Sequence, residues 1–262
     1  MQSATPPSTV AGQSAPVPLL EVRHLSRSFG RLLAIGNVNF QLNRGELKAI
    51  IGPNGAGKTT LFNLITGALV PSEGTIVFDG ETVSGRPPFE IASKGLARSF
   101  QLLNLFPNLS VFENVRLAVQ VNHKRRRSWF REAERLPGVA ERTAQLLERI
   151  GLGPFAQQRA STLSYGDQRT LEIGLALATR PKLLMLDEPT SGMSPLESQH
   201  VAELIATLSE TLSIVLIEHH IEMVMALADS ILVMHHGQKL AEGTPREVAA
   251  DPEVQRAYLG GL

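Results

Sequence analysis

The 262-residue chain has no cysteine. Disulfides, thiol nucleophiles and cysteine-ligated metal sites are thereby excluded. It has no net charge either, with 25 Lys plus Arg against 25 Asp plus Glu, so no whole-chain field draws it to nucleic acid or to an anionic membrane. Any charged contact must be local. No run approaches the roughly 18 to 20 apolar residues that cross a bilayer, and Met1 to Pro18 lacks both the basic start and the apolar centre of a signal peptide. A cytoplasmic chain is expected. No internal repeat appears, which leaves one nucleotide site's worth of motifs. The residues are 43% apolar, enough for a real core in one large domain or in a core with an inserted subdomain.

What the chain does have is Gly52-Pro53-Asn54-Gly55-Ala56-Gly57-Lys58-Thr59, followed by Thr60. It fills every fixed position of the phosphate-binding pattern G-x-x-x-x-G-K-[ST]. Leu47 to Ile51 before it reads as a short buried strand, and Thr60 to Ile65 after it carries apolar residues at helical spacing, closed by Gly67. Gly55 and Gly57 let backbone N–H groups converge on phosphate oxygens, and the helix N-terminus adds its partial positive charge. Lys58 then holds the terminal phosphates and the Thr59 hydroxyl a magnesium ion.

Residues 1–18, rich in Ser, Thr, Ala and Pro, read as a disordered tail. From Leu19 to about Phe78, short alternating runs with turn signals at Asn43-Arg44-Gly45 and Ser72-Glu73-Gly74 suggest small antiparallel strands beside the P-loop core. From about 102 to 180 helical periodicity takes over, in Val139 to Ile150 and Tyr165 to Thr179. Lys182 to Asp187 and Ser213 to Glu218 are apolar strands around the helical pattern Pro195 to Leu212, a parallel β-α-β arrangement. The first of these strands ends in Asp187 and Glu188. Parallel sheets keep their sites at the carboxyl ends of strands, which places the pair beside the P-loop. Asp187 is positioned to hold magnesium, directly or through water, and Glu188 to take a proton from an attacking water.

Leu163-Ser164-Tyr165-Gly166-Asp167-Gln168 resembles the signature motif of ATP-binding cassette (ABC) ATPases. Other motifs of that family fall in order: Phe29 at the base-stacking position, Gln101 as the Q-loop glutamine, Ser191-Gly192-Met193-Ser194 as the D-loop, and His219 as the switch histidine. The likeness runs from about Leu19 to Leu262. Phe29 stands where tyrosine is commoner, Asp167 where Gln or Glu is usual, and Met193 and Ser194 where Leu and Asp or Asn are usual. The resemblance implies an α/β fold: a P-loop NTPase core with a parallel sheet, a small antiparallel β subdomain and an inserted helical subdomain, forming one ABC ATPase domain over 19–262. It implies ATP and Mg2+ as ligands, with Glu188, His219 and Gln101 as the hydrolytic residues and Thr59, Gln101 and Asp187 around the metal. Two cassettes, the same or related, pair head to tail, so that Ser164, Gly166 and Asp167 of one cover the γ-phosphate held by the other.

A membrane transporter's ATPase subunit is implied, peripheral to the cytoplasmic face of the inner membrane. Separate integral permeases carry the pathway, a substrate-binding protein takes part indirectly, and no nucleic-acid partner is expected. The apolar stretch Phe100 to Pro107 is the candidate permease contact. The chain is most similar to the subunits that serve branched-chain amino-acid importers. Arg44-Gly45-Glu46-Leu47, Leu61 to Gly67, Tyr165, Ile217-Glu218-His219 and the ending Glu242-Gly243-Thr244-Pro245 to Ala257-Tyr258-Leu259-Gly260 carry that likeness. The ending is shared with relatives serving urea uptake and lipopolysaccharide export, and the insertion around His123 to Pro137 favours the amino-acid group over the exporters. Another cargo (urea, another amino acid or lipopolysaccharide) stays open, as does a soluble ABC ATPase outside transport. Such soluble relatives carry tandem cassettes or a long coiled coil, and neither is visible.

The basic block His123-Lys124-Arg125-Arg126-Arg127 with Trp129 reads as a solvated face beside Arg131, Glu132, Glu134 and Arg135. His219-His220 and His235-His236 do not read as metal sites, because adjacent strand residues point to opposite faces and His236-Gly237 reads as a turn.

Overall fold

Runs of five buried, mostly apolar residues and runs that alternate buried with exposed sort the strands into two sheets. The computed structural model describes residues 17–99, 105–121 and 137–259. Most of the tail, Gln101 with the rest of 100–104, and the basic block lie outside the described residues.

Strands β1 (Leu20–Phe29), β2 (Leu32–Leu42), β4 (Glu73–Phe78) and β5 (Glu81–Thr82) form an antiparallel sheet in the order β2-β1-β4-β5. Only one face of it is covered, so Leu20, Val22 and Leu25 of β1 turn inward between more exposed residues. The larger sheet has the order β10-β9-β3-β8-β7-β6. Its parallel strands are β3 (Leu47–Ile51), β6 (Leu96–Arg98), β7 (Leu183–Asp187), β8 (Ser213–Ile217) and β9 (Ser230–His235). Strand β10 (Gln238–Gly243) returns antiparallel on β9. β3, β7 and β8 are buried along their whole length because helices or the second sheet cover both faces.

Alternate residues of these central strands feed different cores. Ile50, Met185, Val215 and Ile217 pack with Phe62 and Ile65 of α1 (Lys58–Ile65) and with the inner face of the antiparallel sheet. On the opposite face Leu184, Leu186 and Leu216 meet α3 (Val111–Val121), α4 (Val139–Arg149), α5 (Tyr165–Ala178) and α6 (Pro195–Ser209). The short α2 (Pro88–Ser93) leads into β6. Helix α7 (Ile221–Leu227) follows β8, and α8 (Pro245–Ala250) and α9 (Pro252–Leu259) follow β10, closing a third cluster around Ala49, Ile51 and Val233.

Two details differ from the sequence reading. β6 is three residues long, too short to show a period, and it pairs with β7 as the edge of the parallel sheet. β8 stops at Ile217, so His219 and His220 are loop residues, and strand alternation is not what separates their rings. His236 and Gly237 do form the turn of the β9–β10 hairpin, both with positive φ.

Candidate functional site

β3, β8 and β7 are neighbours, and their register sets Ile50 opposite Ile217 and Ile217 opposite Asp187. The segments leaving these three strands therefore start from one level at one edge of the sheet, where parallel sheets gather their ligands. The P-loop leaves β3, Glu188 leaves β7, and Glu218 with His219 leaves β8.

The P-loop turns from β3 into α1 as its spacing predicts. Gly55 has φ +80° with open space beside it, so backbone conformation alone calls for glycine there. Gly57 has a second reason: at φ +97° a Cβ would lie 2.8 Å from the carbonyl oxygen of Ala34 on β2. Sequence reasoning assigned Gly57 to phosphate approach alone. Lys58, 5% exposed, donates to the carbonyls of Gly52 at 2.7 Å and Pro53 at 3.1 Å. Burial pushes its pKa down, and the nearby charges of Glu188 and Asp187 offset only part of that. The next residue, Thr59, is exposed, and its hydroxyl is open to a ligand.

Asp187 is 1% exposed. Its Oδ2 accepts from Arg98 Nη2 at 2.7 Å, and the same guanidinium donates through Nη1 to Asn63 Oδ1. Burial raises the Asp187 pKa, against the lowering effect of Arg98. Its Oδ1 is buried and accepts no hydrogen bond from any described residue. Such an oxygen suits a hard cation that takes oxygen ligands. Arg98 escaped the sequence reading, since it lies 89 positions from Asp187 and in no motif.

Glu188 takes a left-handed backbone, φ +49°, uncommon for a side chain of its size. Its Oε1 is 2.7 Å from Nε2 of His219, and its amide donates to the carbonyl of Ile217. The structure thus brings Glu188 and His219 into contact. Phe29, at the end of β1, is 44% exposed, with the Arg27 guanidinium 4.8 Å from its ring centroid. Arg27 is itself held by the carbonyl of Val70 at 2.8 Å.

Ser164, Gly166 and Asp167 sit apart from this group, at the start of α5. Ser164 is the N-cap: its Oγ accepts from the Asp167 amide and donates to the Asp167 carboxylate. The Gly166 amide donates to Glu197 Oε1 at 3.1 Å. Glu197 also closes a capping box with Ser194 at the start of α6, and its bonds from Ser194 and Gly166 hold its pKa below the usual carboxylate range. Ser194 is thus at an N-cap, a position that Asp or Asn fills as well. Among the described residues no hydrogen bond or ion pair joins Ser164, Gly166 or Asp167 to the P-loop, Asp187 or Glu188. The described residues also contain no group of three or more His, Cys, Asp or Glu able to hold a metal among themselves.

Residues 35–191 match the family model described as ABC transporter. The chain belongs to that family. A second model, described as branched-chain amino acid ATP-binding cassette transporter, matches residues 238–261 of the cassette. The cassette is 44% identical over 252 residues to the high-affinity branched-chain amino acid transport ATP-binding protein LivG of Escherichia coli K12, covering 93% of this chain and 98% of that one. It is 42% identical over 253 residues to BraF of Pseudomonas aeruginosa, a protein of the same description, with the same coverage. Among solved structures, an ABC transporter cassette in its ADP conformation matches with a TM-score of 0.81 at 29% identity, over 93% of this chain and 99% of that one. A dimeric cassette in a post-hydrolysis state, bound to ADP and Pi, matches with a TM-score of 0.72 at 25% identity, over 87% and 99%. The cassette is accordingly a nucleotide-binding ATPase with the α/β fold that its motifs imply.

Proposed function

We propose that the cassette hydrolyses ATP between two copies, or between itself and a related cassette, and that this drives branched-chain amino acids into the cell through separate membrane permeases. The observation that carries the hydrolytic reading is the meeting of Lys58, Asp187, Glu188 and His219 at the ends of three adjacent strands. Lys58 holds the terminal phosphates, Glu188 accepts the proton of the attacking water, and His219 keeps the Glu188 carboxylate in place. Phe29 offers its ring face to the adenine. Thr59 and Asp187 are the described residues that fit magnesium, with Gln101 joining them by resemblance. When bound, the ion neutralises phosphate charge and orients the chain of phosphates.

Ser164 and the N-terminus of α5 face the partner's nucleotide, a role consistent with Ser164, Gly166 and Asp167 making no hydrogen bond, among the described residues, to this chain's own P-loop, Asp187 or Glu188. ATP then joins two cassettes, and hydrolysis lets them part. No helix among the described residues is long and apolar enough to cross a membrane. On this reading, by likeness to the transporter subunits, separate permeases carry the pathway and the cassette works at the cytoplasmic face. A groove of about 1160 Å³ lined by Phe89, Leu96, Val121, Leu175 and Arg180 is the surface offered to a permease. Phe89 and Val121 are 73% and 57% exposed on it. The cargo follows the full-length likeness to LivG and BraF, whose names specify branched-chain amino acids.

The test is uptake. Deleting the gene should reduce uptake of radiolabelled leucine, isoleucine or valine at low concentration, and the wild-type gene should restore it while the Lys58→Ala gene does not. Undiminished uptake of all three in the deletion strain would move the cargo to urea, another amino acid or an exported lipid.

A further inference from the structure

Glu218 has no task in the chemistry above, yet its carboxylate is 2% exposed and fully engaged. It follows β8 directly and faces the loop that leaves β7. Oε1 accepts from the Thr190 amide at 3.0 Å and from Thr190 Oγ1 at 2.6 Å. Oε2 accepts from the amides of His219 at 2.9 Å and His220 at 3.4 Å. Thr190, itself 0% exposed, lies two residues beyond Glu188. Its hydroxyl proton goes to Glu218, which leaves the Thr190 oxygen able to accept a proton carried on His220 Nδ1, 3.0 Å away.

Two links therefore join the same pair of loops. One is half-exposed, the 2.7 Å contact between His219 and Glu188. The other is buried and runs through Glu218. The buried link has a reason to exist: Glu188 at φ +49° is in a sparsely populated backbone region, and such a residue persists only where its surroundings over-determine it. We propose that Glu218 is a positioning residue for hydrolysis, clamping the loop of Glu188 to the loop of His219 so that the two side chains meet in register. All four of its close partners donate. A glutamine of the same shape must turn its NH2 toward a donor, so the clamp requires a carboxylate.

The inference rests on the reading of Glu188 and His219 as the hydrolytic pair. Purified full-length chains carrying Glu218→Gln, Thr190→Val, both together, or Glu188→Gln are compared in steady-state ATP hydrolysis over a range of ATP concentrations, with nucleotide affinity read by a fluorescent ATP analogue and folding by circular dichroism. Below the onset of unfolding, Glu218→Gln should lower kcat by about 10- to 100-fold, the range for a small misplacement of reacting groups, with KM and analogue affinity within about twofold of wild type. Thr190→Val should lower kcat in the same direction. The double variant should lose no more than the worse single one, because both changes cut the same link. Wild-type kcat in either folded single variant, a loss confined to KM, or losses that multiply would each overturn the clamp, and Thr190→Val decides alone if Glu218→Gln does not fold. Wild-type turnover by Glu188→Gln would instead show that the hydrolytic pair itself had been misassigned.

Discussion

The guanidinium of Arg98 stands 2.7 Å from Oδ2 of Asp187 and also bonds Asn63, so a single cation ties the edge strand β6 to the end of β7 and to α1. Removing one partner of a buried ion pair costs about 3 to 5 kcal/mol. Arg98 keeps 12% of its side chain exposed, which favours the low end of that range. For a chain of this size about 3 kcal/mol corresponds to a fall of roughly 6 to 12 °C in Tm. Thermal melts of Arg98→Leu, followed by circular dichroism, should show it. Arg98→Lys should lose part of this, since an ammonium cannot span Asp187 and Asn63 with a planar fork.

Glu188→Gln keeps the shape of the side chain and removes the base. Loss of a positioned base lowers a rate by about 10² to 10⁴. ATP binding should persist, and a nucleotide-bound dimer should accumulate on size-exclusion chromatography with ATP and magnesium. Turnover at the wild-type rate would remove Glu188 from the mechanism.

If Ser164 serves the partner's nucleotide, two inactive chains can rescue one another. Lys58→Ala mixed with Ser164→Arg yields heterodimers in which one composite site carries both lesions and the other carries neither. Partial ATPase activity should return. A mixture that forms heterodimers and stays as inactive as either parent would rule out the shared site.

Phe29→Ala should weaken ATP binding by about tenfold, the scale of one aromatic–base stack, while Phe29→Tyr should leave it close to wild type. Displacement of a fluorescent ATP analogue measures both. An unchanged affinity in Phe29→Ala would place the adenine elsewhere.

Acid should loosen the base of the central strand β3. Burial pushes the Glu46 pKa up, but bonds from the Ser230 hydroxyl and the Asn43 amide, with the charge of Lys48, outweigh it and leave the carboxyl below its ordinary range. A depressed folded-state pKa gives stability that is present above the unfolded value, about 4.3, and is lost as pH falls through the folded one. Tm should therefore drop as pH falls below about 4.3, and more steeply in the wild type than in Glu46→Gln. Equal slopes would discharge Glu46 from the acid response.

How legible a residue was in the sequence tracked the distance to its partner along the chain. The P-loop could be read because its chemistry is consecutive, with a buried strand before it and a helix after it. Asp187 and Glu188 could be read because a run of four apolar residues, Leu183 to Leu186, delivers them to one edge. Arg98 could not, since its partner is 89 residues away, and neither could the pairing of Glu218 with Thr190 across 28 residues or of Gly166 with Glu197 across 31. Those contacts exist only once β6, β7 and β8 are side by side and α5 lies against α6. The hairpin of β9 and β10 was read no further than its turn, because β10 is a mostly polar strand whose order comes from pairing with its neighbour.

The left-handed backbone of Glu188 sets stability against activity at a single position. Glycine or asparagine would occupy φ +49° more readily than glutamate does, so a screen that rewards heat resistance alone has a reason to replace it. Neither substitute carries the carboxylate that His219 meets. Thermostable variants of this cassette should therefore be sought with residue 188 held constant, and a library left free at that position should enrich for chains that bind ATP tightly and turn it over slowly.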